Sequence, residues 1–186
     1  MLIDTHTHLD FQSFNDDREE VLARAKDTGV EKMINCGSAW EGSLASVELS
    51  EKYPQVFAAV GLHPHETAYA KKNLNYISKL EELADNDKVV AIGEIGLDYF
   101  EMANIKEEQK ELFIPQLELA EKLGLPVILH ARDSYADVYE IVKDKKLKAV
   151  LHCFSGDLKQ AEKFLNLGFM ISFTGIITFA KTDKLV

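Results

Sequence analysis

Seven short runs of the chain are apolar almost without interruption: LIDTH (2–6), KMINCG (32–37), VFAAVGL (56–62), VVAIGEIGL (89–97), PVILHA (126–131), AVLHCF (149–154) and FMISF (169–173). A strand with one wet face alternates apolar and polar residues, so near-continuous runs predict strands buried on both faces. Between them lie stretches with apolar residues three or four apart. In DDREEVLARAKDTG, Val21, Leu22 and Ala25 share a face and Gly29 follows as a stop. KEEQKELFIPQLELAEKLG repeats the plan with Leu112, Leu117, Leu119 and Leu123, closed by Gly124, and Pro115 is expected to bend it. EGSLASVELSEKY, NLNYISKLEELADN, SYADVYEIVKDKK and DLKQAEKFLNLG are likewise polar on one face and apolar on the other. Strand then helix, repeated, predicts an α/β protein with parallel strands and right-handed crossovers.

An open doubly wound sheet and a TIM barrel both satisfy that pattern; the polar residues separate them. All six histidines fall at or just beyond the C-terminal ends of apolar runs: His6 and His8 at the first, His63 and His65 at the third, His130 at the fifth, His152 at the sixth. Glu94 sits inside the fourth. A parallel barrel gathers its C-terminal strand ends into one mouth, whereas an open sheet strings them along a line. The expectation is therefore a TIM (β/α)8-type barrel, with seven strands readable.

His6 and His8, two apart on an extended strand, point to the same side and can chelate one ion. A buried Glu94 is costly unless a cation neighbours it. With His130 and His152 these residues suit zinc, manganese or a similar divalent ion, and a carboxylate can bridge two ions about 3.5–4 Å apart. His63 and His65 flank Pro64 and could by spacing form a second such pair. Arg132 should share a side with His130 and offers a planar fork to phosphate; the alternative is a surface arginine paired with Asp133 or Asp137. Asp10 and Asp98 follow strand ends and can either hold a ligand imidazole or cap a turn. Ser155, before Gly156 and Asp157, reads as a turn or helix cap rather than a nucleophile. Trp40, Tyr99 and Phe100 read as locally packed, and neither glycine-bearing segment, GEIGLDYFE or GSAWEG, forms a nucleotide-binding loop.

Composition adds bounds. At 186 residues, 46% hydrophobic and 28% charged, the chain is one domain. A formal net charge of -10 argues against a broad basic surface for nucleic acid, yet leaves room for a nucleic-acid substrate whose phosphates meet metal ions in a pocket. No stretch approaches the roughly 18 apolar residues of a membrane span, and the start lacks signal-peptide features, so no membrane contact and a cytoplasmic location are expected. Cys36 and Cys153, far apart in apolar runs, are expected to be buried small residues.

Read together, IDTHTHLD, VGLHPH, GEIGLDY, LPVILHARD and HCFSG resemble the TatD-type metal-dependent deoxyribonucleases, a branch of the amidohydrolase-like TIM barrels. The resemblance runs from Leu2 to about Gly175. It implies that His6 and His8 are a metal pair, Glu94 the metal-bridging carboxylate, His130 and His152 further metal ligands, and His63, His65 and Arg132 groups facing substrate phosphate. It implies hydrolysis of phosphodiester bonds in DNA, exonucleolytically, with two divalent ions (Mg, Mn or Zn). An amidohydrolase-like esterase or amidase is the alternative, since activated water does not by itself choose phosphorus over carbon. The resemblance further implies an eighth strand bearing a metal-binding aspartate that serves as general base, and no residue here fills that position. The expectation is thus a single barrel domain over 1–186, truncated at its C-terminus, with its first and seventh strands as edges; a metal-binding but inactive form is the third reading.

Overall fold

The structure, a computed structural model, describes residues 1–100 and 102–178. Seven strands form one sheet: β1 (Leu2–Thr7), β2 (Val30–Cys36), β3 (Val56–Val60), β4 (Val89–Asp98), β5 (Val127–Arg132), β6 (Ala149–Leu151) and β7 (Met170–Ile171). Each pairs in parallel with the next, in the order β1-β2-β3-β4-β5-β6-β7. A doubly wound sheet reverses its strand order at a switch point. This one never does, and the curled sheet is the TIM-like arrangement expected from the sequence. Among the described residues β1 and β7 each have one strand neighbour, and Leu2, Ile3 and Met170 are exposed there. Residues 179–186, on which the expected truncation falls, lie outside the described residues.

Among the described residues seven α-helices connect the strands: α1 (Arg18–Asp27), α2 (Trp40–Lys52), α3 (Thr67–Lys72), α4 (Tyr76–Ala84), α5 (Lys106–Leu123), α6 (Tyr135–Val142) and α7 (Leu158–Asn166). α3 has no counterpart in the hydrophobic pattern because its six residues make less than two turns, too few to display a period. α5 runs unbroken through Pro115, held by Phe113 and Leu117, both fully buried, and Gly124 at φ 67° ends it. β6 stops at Leu151, three residues before its apolar run does, because Cys153 at φ 47° turns the chain out of the ladder.

The sheet has two apolar faces. Val127, Leu129 and Leu151 join Phe113, Leu117 and Val138 of the helices in the main core. Cys36, Ala59, Ala91 and Ile128 form a separate cluster with Ile34 and Val150. Side chains alternate along a strand, so Ile128, His130 and Arg132 share the second face, and this small-residue cluster is the floor on which the histidines stand. Gly96 makes the fit possible: a Cβ there would lie 1.9 Å from the His130 carbonyl oxygen. Among the described residues no helix is long and apolar enough to cross a membrane.

Candidate metal centre

The β1 end is anchored before any ion is considered. Asn35 of β2, fully buried, accepts from the Leu9 N–H and donates to Asp10 Oδ1 at 2.8 Å and Ser46 Oγ at 2.7 Å. His8 donates from Nδ1 to the Cys36 carbonyl at 3.0 Å. Burial, followed by the proximity of His6, holds the His8 pKa below the ordinary imidazole value. A neutral His8 whose Nδ1 carries the proton presents a lone pair at Nε2.

That lone pair converges on two other donors. His6 Nε2 is 3.1 Å from His8 Nε2, and the two lie 3.4 and 4.0 Å from Glu94 Oε2. The point equidistant from three atoms so spaced is about 2.1 Å from each, the bond length of a zinc-class ion to imidazole nitrogen or carboxylate oxygen. The donor set and its bite therefore fit a divalent ion.

Glu94 faces a second group with its other oxygen. His130 Nδ1 lies 2.7 Å from Glu94 Oε1, and its Nε2 donates to Asp98 Oδ2 at 3.2 Å. Burial opposes charge on this ring, but the bonds to Asp98 and Glu94 prevail and raise its pKa to about 9. Glu94 is 5% exposed; burial alone would raise its pKa, yet hydrogen bonds from His130 and His6 hold it well below the usual carboxylate range. Asp98, 2% exposed, answers to the same balance: burial is overcome by bonds from His130 and the Phe100 N–H, leaving its pKa at about 2.

His63 also lies within ligand reach of Glu94 and His130, all three donor atoms being within 4.8 Å of one another. Its Nδ1, however, accepts from the His65 N–H at 3.3 Å, and burial, with the charge on His130, pushes its pKa down to about 3. A neutral ring whose Nδ1 accepts carries its proton on Nε2, which makes it a donor toward an anion rather than a metal ligand. His65, partly exposed, lies 3.4 Å from Asp98 Oδ2. His152 stacks on His6 with ring centroids 3.3 Å apart, and burial, then His6, lowers its pKa to about 4. Its Nδ1 is the one buried side-chain polar atom without a partner among the described residues. An unpartnered imidazole nitrogen in a cluster of this kind is what a bound metal ion or water would satisfy.

These groups line a cavity of about 430 Å³ that includes His8, His63, Glu94, His130, His152 and Arg132. Arg132 is exposed and makes no ion pair among the described residues; its guanidinium stacks 3.8 Å from the Phe100 ring, while Asp137 is taken by Tyr99 Oη at 2.8 Å and Lys110 Nζ at 2.9 Å. Six of the eight site residues expected from the sequence line this cavity, His6 lies behind it against Glu94, and His65 lies beside it against Asp98. Phe11, stacked on His8 at 4.7 Å, lines the cavity too. Trp40 packs against the core, Tyr99 lies in it, and Phe100, though exposed, packs locally against Arg132.

Other expectations need correction. Cys36 is buried but Cys153 is not: it lines the cavity, with its Sγ 3.0 Å from Thr174 Oγ1. Asp10 neither holds an imidazole nor caps a helix, since Asn35 occupies it. Asp98 does both things its position allowed, accepting from His130 and from the Phe100 N–H. Ser155 takes part in the turn through Tyr135 Oη, but the cap of α7 is Asp157, in a reciprocal capping box with Gln160.

A family model described as TatD related DNase matches residues 3–186. YabD of Bacillus subtilis, named an uncharacterized metal-dependent hydrolase, is 38% identical over 188 residues, covering 99% of this chain and 72% of the relative. The 3'-5' ssDNA/RNA exonuclease TatD of Cronobacter turicensis is 35% identical over 177 residues, covering 94% of this chain and 66% of that protein. Among solved structures, YjjV, a TatD homolog from Escherichia coli K12, matches with a TM-score of 0.89 at 38% identity, covering 98% of this chain and 71% of that one. A TatD-family hydrolase from Entamoeba histolytica matches with a TM-score of 0.88 at 29% identity, covering 99% and 67%.

Proposed function

The chain belongs to the TatD-related DNase family, and from that premise we propose that it is a divalent-metal-dependent hydrolase that removes nucleotides from the end of a DNA strand. The observation that carries the reading is the triangle of His6 Nε2, His8 Nε2 and Glu94 Oε2, sized for one ion. Glu94 turns its second oxygen toward His130 and His152 stacks on His6, so Glu94, His6, His8, His130 and His152 are the residues that would hold one or two divalent ions. Bound there, Mg, Mn or Zn would supply an acidified water and positive charge opposite the developing phosphoryl charge.

The chain's own residues do the rest. Glu94 stays ionised across the working pH range and keeps both oxygens available. Asp98 fixes the His130 ring so that Nδ1, not Nε2, faces Glu94. His63 offers an uncharged N–H to a phosphate oxygen, and Arg132, steadied on Phe100 and free of an ion pair among the described residues, offers a two-pronged grip on the next. His65 lies at the rim of the same turn.

The test is release of nucleotides from single-stranded and duplex DNA with Mg, Mn or Zn, with and without chelator. Chelator-sensitive release, favouring strand ends, is expected. Absence of metal-dependent release would sink the nuclease reading; preference for small esters or amides in competition would move it to the alternative chemistry on this scaffold. Tight metal binding with no turnover on either would leave a metal-binding protein without activity.

A further inference from the structure

α5 lays two fully buried glutamines against the strand ends below the site, and both grip main chain. Gln116 Oε1 accepts from the Leu62 N–H at 2.8 Å, while its Nε2 donates to the Leu62 carbonyl at 3.0 Å and to Leu112 O at 3.1 Å. Gln109 does the same at Asp98: Oε1 accepts from the N–H at 2.8 Å, and Nε2 donates to the carbonyl at 2.8 Å and to Met102 O at 3.3 Å. Seven residues separate them, two helical turns, so one face of one helix reaches both places.

What each clamp holds differs. Leu62 leads directly into the turn of His63, Pro64 and His65, whose His63 N–H is bonded in turn to Ser38 O at 2.9 Å. Asp98 carries the carboxylate that accepts from His130 Nε2. A leucine at either position would pack as well in a helix whose neighbours are Leu112, Phe113 and Leu117. It would leave an N–H and a carbonyl unpartnered at a strand end, where the chain leaves the ladder.

We infer that Gln116 and Gln109 are positioning residues with separate duties: Gln116 sets the His63–His65 turn that faces the substrate anion, and Gln109 sets the Asp98 carboxylate that orients His130 toward the metal. The assignment rests on the functional reading above for what the two groups face, and on the clamp geometry for how they are held. Groups bonded directly to a metal ligand, as Asp98 is to His130, typically govern about 10- to 100-fold in affinity, and Gln109, which holds Asp98, is expected at the lower end of that range.

Gln116→Met and Gln109→Met keep length and apolar packing and remove the bonds. The Gln→Glu variants, buried and therefore protonated, keep acceptance from the main-chain N–H and one of the two donations to carbonyls. Calorimetric titration with Mn²⁺, then with inorganic phosphate on the Mn²⁺-loaded protein, reads both duties without turnover, and imidazole NMR resonances of His63 and His65 read the turn directly. Gln109→Met is expected to weaken Mn²⁺ about tenfold. Gln116→Met should leave Mn²⁺ within twofold, shift the His63 and His65 resonances, weaken phosphate about tenfold and, on DNA, raise KM with kcat unchanged. Each Glu variant should fall between the parent and its Met counterpart, and carries the same readouts should a Met variant not fold. A parent that binds Mn²⁺ but neither phosphate nor DNA would overturn the functional reading alone, because the Mn²⁺ and NMR readouts still decide the two glutamines. Melting temperatures lowered alike, with Mn²⁺ affinity, phosphate affinity and the histidine resonances unmoved in both variants, would overturn the inference.

Discussion

Loading the site with a divalent ion at neutral pH should expel about one proton from His130. With no ion bound, both ring nitrogens donate, Nδ1 to Glu94 at 2.7 Å and Nε2 to Asp98 at 3.2 Å, and the ring titrates at about 9. An ion that takes the Nδ1 lone pair must displace that proton. The competition lowers apparent affinity tenfold for every pH unit below about 9, so at pH 7 it stands about 100-fold, or ~2.7 kcal/mol, under its high-pH limit. His63 and His152, with pKa values of about 3 and 4, are neutral at pH 7 and contribute no proton. The sign follows from the raised pKa: affinity climbs with pH and levels off above about 9. Asp98→Asn removes the carboxylate whose bond does most to raise the His130 pKa, so it should reduce proton release at pH 7 while also loosening the ring. Calorimetric Mn²⁺ titrations in buffers of different ionisation enthalpy count the protons. Heats independent of buffer, together with an affinity flat from pH 6 to 9, would refute the reasoning.

Three further outcomes are expected. Replacing His6 and His8 together by alanine should strip bound metal, measured by elemental analysis, whereas Arg132→Ala should keep it and weaken substrate binding; equal metal loss in both would contradict the assigned roles. Asp157→Ala, which breaks the capping box of α7, should cost ~1 kcal/mol in urea unfolding and leave Mn²⁺ affinity unchanged. Gly96→Ala, whose Cβ would strike the His130 carbonyl, should cost at least ~3 kcal/mol by the same measurement and lower Mn²⁺ affinity with it.

The histidines were legible because a parallel barrel turns a positional rule into a site: chemistry at C-terminal strand ends, wherever it falls in the chain, converges. His6, His130 and His152 drew notice by that rule, and Glu94, inside its strand, by the cost of burying a carboxylate. What holds them was not legible. Asn35 sits in KMINCG and looks like a lapse in an apolar run; Gln109 and Gln116 sit on the apolar face of an amphipathic helix and look like lapses in it. All three are fully buried, and much of what they bind is main chain, which leaves no trace in the sequence at the receiving end. Their one signal is a polar amide at a position the helical or strand period assigns to the core. Cys153 failed for a related reason: the apolar run continued past the strand, but a left-handed turn at that residue took the side chain out of the core.

The overall charge sharpens what kind of grip the site can have. A chain of net charge -10 repels a polyanion at long range. Among the described residues at the cavity the negative charges are Glu94 and, beside it, Asp98, and the positive ones are Arg132 and, with no ion bound, His130. His63 and His152 are neutral there at physiological pH. Attraction for phosphate must then come chiefly from bound ions, with Arg132 and, in the metal-free site, His130 in support, and so should fall steeply on chelation. The footprint is correspondingly small. Single-stranded binding falls with salt at roughly -0.7 per phosphate neutralised, so one or two contacts predict a slope of log affinity against log salt no steeper than about -2. Fluorescence anisotropy of a labelled oligonucleotide on the Mn²⁺-loaded protein, across 50 to 300 mM salt, measures it. A slope of about -4 or steeper, or binding undiminished by chelator, would mean that a basic track elsewhere on the surface holds the strand and that the pocket's own charges do not account for recognition.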